Sequence, residues 1–421
     1  MIFTVHILAL FACAVQARWI NTWTSMPQLT EPANLPSPPF NGSSAVFVNS
    51  TIRQTLHMSI GGTQIRVRLS NNFGVNNLNI TAATIALPAD GQPGSSAIEP
   101  STLKTLTFSG SQSFSIPNGA LVVSDPVDFS IRPQSTLTVT IYLEHGQDGF
   151  AITSHPGSRT TTWMAFGNMV SAANITSTTV SSVAHWYFVS AVETWSTSPS
   201  NFAFAIVGDS ITDGRGSDDN ENNRWPDLLL ARMQQNSFTS AIAINNQAAG
   251  GNRILADGLG PNALGRIDRD VLAQSGVKYA MIFEGVNDIG VADTSEKSQE
   301  LIGDQLILAY KQIVARVHTF GIPIFAATIT PFSAPSNTTI QPYSNPVREA
   351  TRQRINAYIR APGSFDFVID FDKIIADPKI PSQLNPLFNS GDYLHPNVAG
   401  YQAIANGFPL EIFEQFAGGV F

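Results

Sequence analysis

Short hydrophobic stretches broken by turn residues fill the first half of the chain. They are rich in β-branched residues and lack helical periodicity. We therefore predict strands at 51–60, 63–70, 80–87, 103–108, 121–123, 137–143 and 184–193. Gly61-Gly62 stands between the first two, which is typical of a two-residue hairpin turn. Many short strands with frequent turns indicate an all-β, sandwich-like domain.

The pattern changes after a polar stretch at 194–200, which we interpret as the domain boundary. Strands predicted at 202–207, 241–244, 279–283, 322–329 and 367–371 alternate with helices predicted at 225–233, 301–320, 346–360 and 399–416. Repeated strand–helix units indicate an α/β domain, in which helices cover both faces of a parallel sheet. Ligands bind at the carboxyl ends of the strands in such a sheet.

The N-terminus has the pattern of a secretory signal peptide. An apolar run from Ile7 to Val15 is followed by small residues suited to cleavage after Ala17. The segment before the run carries His6 but no lysine or arginine, and a buried helix or a membrane anchor is the alternative. The run is too short to span a bilayer comfortably. We expect a secreted, extracellular protein without a membrane span, with a signal peptide at 1–17, a β-sandwich-like domain at 18–198 and an α/β domain at 199–421.

Composition excludes several kinds of protein. The only cysteine, Cys13, lies in the predicted signal peptide, which excludes cysteine catalysis and thiolate-bound zinc in the mature chain. The net charge is -8 and the 23 basic residues are scattered, which argues against a nucleic-acid partner. Acceptor triplets for N-glycosylation predict exposed positions in a secreted chain at Asn41, Asn49, Asn79, Asn174 and Asn337.

A candidate nucleophile follows the first strand of the α/β half. Ser210 lies in Gly208-Asp209-Ser210-Ile211-Thr212-Asp213-Gly214. The alternative is a serine that only caps a helix, although a cap position also directs the Ser210 amide toward developing negative charge. Thr212 replaces the second glycine of a Gly-X-Ser-X-Gly motif, which argues against the nucleophile elbow of α/β-hydrolases.

A candidate base lies far downstream, in Gly391-Asp392-Tyr393-Leu394-His395-Pro396. A serine hydroxyl needs an imidazole to accept its proton, and the imidazole needs a partner that fixes its tautomer. Asp392 and His395 can project from one turn toward one site; the alternative is a solvated surface loop. Of the seven histidines, His395 is the best candidate, because the others lie in the signal peptide, the β-rich half or a predicted helix.

Two further segments offer donors for an oxyanion. Gly251, in Asn246-Gln247-Ala248-Ala249-Gly250-Gly251, can present a bare backbone amide, and Asn287, in Gly285-Val286-Asn287-Asp288, can offer its side-chain amide. The alternative explanation is a purely structural role, in a tight turn for Gly251 and in capping a turn for Asn287. The neighbouring aspartates Asp209, Asp213 and Asp288 are expected to order loops. No metal-binding or nucleotide-binding motif occurs, so we expect neither metal nor cofactor.

With these four segments in this order, residues 202–421 resemble the SGNH (GDSL-type) hydrolase family. The resemblance implies a flavodoxin-like three-layer α/β/α fold with Ser210 as nucleophile, His395 as base and Asp392 as orienting acid. It also implies an oxyanion hole formed by Ser210, Gly251 and Asn287. The second segment has two adjacent glycines, so Gly250 is the alternative donor. The β-rich half looks like the region that precedes the catalytic domain in some secreted members.

The resemblance implies ester hydrolysis through an acyl-serine intermediate. We expect a serine carboxylic-ester hydrolase acting on short-acyl or carbohydrate O-acyl esters, with an acylated polysaccharide as one candidate substrate. A lipase-like acylhydrolase is the alternative within this class. A non-catalytic glycan-binding protein on a hydrolase scaffold is the alternative outside it. The sequence leaves acyl length, the alcohol part and the oligomeric state open.

Overall fold

The computed structural model describes residues 17–335 and 339–420. Residues 1–16 of the predicted signal peptide, with Cys13, and the acceptor Asn337 lie outside the described residues. The first half of the chain is β-rich, as expected. Its strands are β1 (Arg18–Thr24), β2 (Gln28–Leu29), β3 (Ala45–Val46), β4 (Ser50–His57), β5 (Gly62–Ser70), β6 (Leu78–Ile80), β7 (Ala82–Ala86), β8 (Lys104–Thr105), β9 (Phe114–Ile116), β10 (Leu121–Val123), β11 (Val127–Ile131), β12 (Thr136–Leu143), β13 (Gln147–Asp148), β14 (Thr153–His155), β15 (Thr162–Phe166), β16 (Ser181–Val183), β17 (Trp186–Tyr187) and β18 (Val189–Ser196).

Most of these strands form two antiparallel sheets. One has the order β1-β18-β5-β10, with β11 also paired to β5, and the other has the order β16-β15-β4-β12-β7-β8. The predicted hairpin around Gly61-Gly62 is therefore wrong, because β4 and β5 lie in different sheets. Hydrogen bonds explain the divergence: the Ser59 amide donates to the Thr22 carbonyl at 2.7 Å, and the Thr22 hydroxyl donates to the Ile60 carbonyl at 2.7 Å. These contacts with β1 carry the chain away from β4.

The two sheets contribute to one hydrophobic cluster. It includes Ile52 and Leu56 of β4 together with Ile65 and Val67 of β5, all of which are buried. Burial of such side chains is the main stabilising contribution in a β-rich region without cross-links. The sandwich arrangement itself stays a prediction.

Three of the acceptor asparagines are exposed. Asn49, Asn79 and Asn174 lie at the surface of the β-rich region, where a glycan could be attached. Asn41 is only half-exposed and the oxygen of its side-chain amide is buried. The predicted exposure of the acceptor asparagines is therefore only partly met at Asn41. Glycosylation stays a prediction at all of these sites.

The second half contains a parallel sheet and most of the helices. Its five strands have the order β20-β19-β21-β22-β23, and all neighbouring pairs are parallel. In chain order this is 2-1-3-4-5, the arrangement of flavodoxin-like folds. The elements are β19 (Phe202–Gly208), α1 (Ser210–Asp213), α2 (Trp225–Gln234), β20 (Ile242–Ala248), α3 (Ala263–Ile267), β21 (Val277–Phe283), α4 (Val286–Val291), α5 (Glu296–His318), β22 (Ile324–Ala327), α6 (Pro346–Arg360), β23 (Phe367–Ile369), α7 (Phe371–Ile375), α8 (Val398–Gly407) and α9 (Ile412–Gln415).

Helices cover both faces of this sheet, because its strands are apolar on both sides. Along β19, Phe204 and Ile206 pack in a cluster with α2, α7, α8 and α9, whereas Ala205 and Val207 pack in a second cluster with α3, α4, α5 and α6. The alternation follows from the two-residue period of a strand. Within residues 17–335 and 339–420, no helix combines the length and hydrophobicity needed to cross a lipid bilayer.

Some predicted boundaries differ from the structure. The last predicted helix, 399–416, is two helices, because Pro409 between α8 and α9 lacks the amide that a continuous helix requires. The predicted strand 367–371 ends early, at Ile369, since Asp370 caps α7 through a bond from the Lys373 amide. The predicted boundary stretch 194–200 begins as strand, because β18 continues to Ser196 and pairs with β1.

The β-rich region packs against the edge of the parallel sheet. The Ser59 hydroxyl donates to the carbonyl oxygen of Ile244 in β20 and accepts from the amide of the same residue, both at 3.2 Å. Thr24 of β1 donates from its hydroxyl to the carbonyl of Asn246 at 3.3 Å. Unpaired backbone amides and carbonyls on an edge strand can pair with another chain and cause aggregation. Here residues of the β-rich region form hydrogen bonds with such groups of β20.

Candidate active site

Ser210 is placed by the turn that follows the central strand β19. Asp209 caps the short helix α1 by accepting a hydrogen bond from the Ile211 amide at 2.9 Å, and Ser210 is the first helical residue. Gly208 is required at this turn, since a Cβ there would lie 2.5 Å from the Thr212 hydroxyl oxygen. The neighbours of β19 are β20 and β21, so Ser210 lies at the point where the strand order reverses, as expected for a ligand site in such a sheet.

The structure brings Ser210, His395 and Asp392 into one hydrogen-bonded chain. The Ser210 Oγ lies 2.7 Å from His395 Nε2, and His395 Nδ1 lies 2.6 Å from Asp392 Oδ2. The ionised carboxylate can only accept, so Nδ1 carries a proton and Nε2 of the neutral ring is free to accept the serine proton. This is the geometry that a serine nucleophile and its base require.

The loop before α8 holds Asp392 in its ionised form. Tyr393 has a positive φ of 60°, which turns the chain so that Asp392 Oδ1 accepts from the amides of Leu394 at 3.0 Å and His395 at 2.8 Å. Partial burial opposes ionisation, but the hydrogen bonds from the His395 ring and from these two amides outweigh it. They hold the pKa of Asp392 well below its usual range.

Asn287 is oriented by two partners. Its Nδ2 donates to the Asn252 carbonyl at 2.9 Å, and its Oδ1 accepts from the Tyr343 hydroxyl at 3.0 Å. Because a carbonyl oxygen can only accept, the first contact fixes which end of the amide carries the nitrogen. One hydrogen of Nδ2 is left for another acceptor, and Asn287 lines the same pocket as Ser210.

Gly250 and Gly251 both line this pocket. Gly251 has a positive φ of 68°, and a Cβ there would lie 2.6 Å from Leu259 Cδ1, so packing alone requires glycine at this position. At Gly250 a Cβ would meet only Asp213 Oδ2, at 3.9 Å. Neither amide has a backbone or side-chain acceptor among the described residues. Both therefore stay candidate donors, and Gly251 stays the predicted one.

The pocket above these groups is an open cleft of about 510 Å³. That volume is within the range of about 300–1,000 Å³ typical of small-molecule sites. Ser210, His395, Asp392 and Asn287 all contribute to its lining.

Comparison with known proteins agrees with this geometry. Residues 206–403, which include every one of these groups, match the model of the GDSL-like lipase/acylhydrolase family. The chain contains a GDSL-like lipase/acylhydrolase domain. The family match identifies the chain as a carboxylic-ester hydrolase.

The solved structures that match this chain are only distantly similar to it. A catalytic mutant of an acetylxylan esterase from Geobacillus stearothermophilus is 18% identical with a TM-score of 0.37, and the match covers 49% of this chain and 92% of that one. A GDSL-like lipase from Bacteroides thetaiotaomicron is 16% identical with a TM-score of 0.34, covering 51% and 88%. These values are too low to assign a substrate. No curated protein matches the chain.

His155 lies outside the GDSL-like domain but contacts a residue of this site, and no local sequence pattern indicates that contact. His155 of β14 lies with Nε2 2.8 Å from Asp213 Oδ1 and Nδ1 3.0 Å from the Met26 carbonyl oxygen. Both contacts need a proton, so the pair is an imidazolium beside a carboxylate or a neutral ring beside a protonated carboxyl. Both side chains are buried, and Asp213 also lines the pocket. Asp213 therefore fastens the β-rich region to the helix that carries Ser210.

Three buried carboxyl groups lie close together in the GDSL-like domain. Burial raises the pKa of Asp209 to about 7, of Glu284 to about 8 and of Asp288 to about 6, although the Ile211 amide opposes it at Asp209 and the amides of Ile254 and Leu255 oppose it at Asp288. The negative charge of neighbouring carboxylates also raises the pKa of Asp209 and of Glu284. The raised pKa values of Asp209 and Glu284 limit the negative charge in the interior beneath the pocket.

Proposed function

We propose that this protein is a secreted serine carboxylic-ester hydrolase that acts through an acyl-serine intermediate on short-acyl or carbohydrate O-acyl esters. The observation that carries the proposal is the continuous chain Ser210 Oγ–His395 Nε2 at 2.7 Å and His395 Nδ1–Asp392 Oδ2 at 2.6 Å. A non-catalytic glycan-binding protein has no need for an imidazole held against a serine hydroxyl beside an open cleft.

The geometry supports a two-step reaction. His395 Nε2 takes the proton of Ser210 as Oγ attacks the acyl carbon, and the carbonyl oxygen becomes an oxyanion. The Ser210 amide, Asn287 Nδ2 and an amide of the glycine pair stabilise that charge. The C–O bond to the alcohol then breaks, and the alcohol leaves with the proton from His395.

Water completes the cycle at the same groups. His395 removes a proton from water as its oxygen attacks the acyl-serine, and the second oxyanion is stabilised by the same donors. The bond to Ser210 Oγ breaks, the acid is released, and the serine regains its proton from His395. Asp392 keeps the imidazole in the correct tautomer throughout and stabilises the positive charge that forms on it.

Secretion is supported by the position of the predicted cleavage site. Strand β1 begins at Arg18, so cleavage after Ala17 would leave all the described strands intact. Expression in a secreting host and sequencing of the N-terminus of the protein from the medium tests this. A first residue of Arg18 supports secretion, and an intact Met1 in the cell fraction contradicts it.

Hydrolysis of p-nitrophenyl acetate tests the enzymatic proposal. Ser210→Ala should lower kcat by about four to six orders of magnitude, because serine, histidine and aspartate act as a unit. Ser237→Ala is a matched control, since Ser237 is an exposed serine of the same domain away from the pocket. An unchanged rate in Ser210→Ala, or no hydrolysis by the wild type, would overturn the proposal.

A further inference from the structure

The β-rich region supplies part of the wall of the catalytic pocket. Six of its residues line the cleft: Gln28, Glu31, Asn34, Pro156, Gly157 and Arg159. Four of them carry polar or charged side chains, and all precede the GDSL-like domain in sequence. The region is therefore part of the site itself and more than a support packed behind it.

Glu31 is fixed in this wall by its neighbours. Gln28 donates from Nε2 to Glu31 Oε1 at 2.7 Å, and Asn34 donates from Nδ2 to Glu31 Oε2 at 2.9 Å. Gln28 is itself buried, which restricts the first of these donors. Each carboxylate oxygen can accept more than one hydrogen bond, so Glu31 presents fixed, unsaturated acceptors to the cleft.

Arg159 is the donor counterpart. Its Nε is buried without a hydrogen-bond partner, and its guanidinium makes no hydrogen bond or ion pair within residues 17–335 and 339–420. Its backbone has a positive φ of 50°, a conformation that costs energy for a residue other than glycine, asparagine or aspartate. The strained backbone and unpaired guanidinium of Arg159 persist only if the surrounding structure holds the residue in place.

The catalytic domain provides that hold. Asn220 donates from its backbone amide to the Arg159 carbonyl at 2.9 Å and accepts from the Thr161 amide at 2.8 Å. Arg224 donates to the Ser158 carbonyl at 3.0 Å. With the contact between His155 and Asp213, these bonds fasten residues 155–161 on both sides of Arg159, whose side chain is left for a ligand.

From this arrangement we infer that Arg159 and Glu31 form the subsite for the alcohol part of the substrate, and that this part is a neutral saccharide with free hydroxyl groups. The inference rests on the proposed function. A sugar hydroxyl both donates and accepts, so free hydroxyl groups of a saccharide can satisfy the fixed carboxylate of Glu31 and the unpaired guanidinium of Arg159 together. An alkyl alcohol would desolvate both charges without replacing their hydrogen bonds, which is unfavourable.

The test compares two substrates with the same acetyl group. Acetylated xylo-oligosaccharide carries the saccharide and p-nitrophenyl acetate does not, so the ratio of their kcat/KM values measures recognition of the alcohol part. Arg159→Asn, which suits the left-handed backbone, and Glu31→Gln should each lower this ratio about 10- to 100-fold, mainly through KM for the oligosaccharide. Arg132→Ala, an exposed arginine of the β-rich region away from the cleft, should leave the ratio unchanged.

The outcomes separate the two proposals. Absence of hydrolysis of either ester by the wild type overturns the proposed function and the inference with it. Cleavage of p-nitrophenyl acetate but not of acetylated saccharide, or equal ratios in wild type and both variants, overturns the inference alone. Acetylated galacturonan oligomers, in place of the xylo-oligosaccharide, test the charge of the saccharide. If the two variants lower the kcat/KM ratio only for these oligomers, the subsite binds an anionic saccharide, which also overturns the inference. If Arg159→Asn does not fold, the ratio measured for Glu31→Gln decides.

Discussion

Two of the histidine–aspartate pairs in the described part of the chain differ in what the second ring nitrogen faces. In one, His395 Nδ1 contacts Asp392 and Nε2 contacts the Ser210 hydroxyl. In the other, His155 Nε2 contacts Asp213 and Nδ1 contacts the Met26 carbonyl. The Asp–His distances are 2.6 and 2.8 Å, so the contact itself does not distinguish the pairs.

The difference shows how similar pairs serve separate purposes. His395 keeps one nitrogen as an acceptor for a mobile proton, which makes it a base. Both nitrogens of His155 are engaged by oxygen atoms of the protein, so that ring has no nitrogen available for a substrate proton. The first pair is formed by residues three apart in one turn, whereas the second joins β14 to α1 across the two halves of the chain. We assign a catalytic role to the pair His395–Asp392 and a structural role, holding the two halves of the chain together, to the pair His155–Asp213.

The same substitution in the two aspartates tests this assignment most strongly. Asp392→Asn should lower kcat about 10⁴-fold, because the amide favours the wrong tautomer of His395. Its effect on the free energy of unfolding should be small. Steady-state kinetics and urea unfolding measure the two quantities, and full activity in Asp392→Asn would contradict its orienting role.

Asp213→Asn should show the opposite profile. Breaking a buried pair typically costs about 3–5 kcal/mol, because one polar partner is left without its counterpart. We expect that loss in the free energy of unfolding, with a far smaller loss of turnover than in Asp392→Asn. A double-mutant cycle with His155→Gln should give a coupling energy of about 0.5–3 kcal/mol. A loss of turnover as large as that of Asp392→Asn, at unchanged stability, would show that this pair takes part in the chemistry.

Asn287→Ala separates charge stabilisation from proton transfer. Removal of one oxyanion donor should lower kcat about 10²- to 10³-fold while the contacts between Ser210, His395 and Asp392 remain. Asn236→Ala is the control, since Asn236 is an exposed asparagine of the same domain outside the pocket. Equal rates for Asn287→Ala and wild type would remove Asn287 from the proposed oxyanion hole.

Tyr343→Phe should have the smallest effect. It removes the hydroxyl that donates to Asn287 Oδ1 and leaves the ring in place. A neutral hydrogen bond contributes about 0.5–1.5 kcal/mol, so kcat should fall up to about tenfold. An effect comparable with that of Asn287→Ala would mean that Tyr343 contacts the reacting atoms directly.

Local patterns in the sequence were enough to locate much of the α/β half. Helix α6 begins at Pro346 and ends at Arg360, as predicted, because proline suits the first turn and the apolar spacing is regular. The predicted hairpin at Gly61-Gly62 failed, since the contacts of Ser59 and Ile60 with Thr22 are distant in sequence. Turn residues indicate where a chain changes direction but not which strand it joins.

Short motifs were enough to identify the chemical groups: a serine after a buried strand, an Asp-X-X-His turn, and glycine and asparagine segments in a fixed order. Each of these signals lies within a few residues, where backbone geometry is set by neighbours. Packing between the two regions places Glu31 and Arg159 of the β-rich half in the wall of the catalytic cleft and brings His155 against Asp213. Their positions depend on how two regions pack, and no local spacing records a contact between residues 155 and 213.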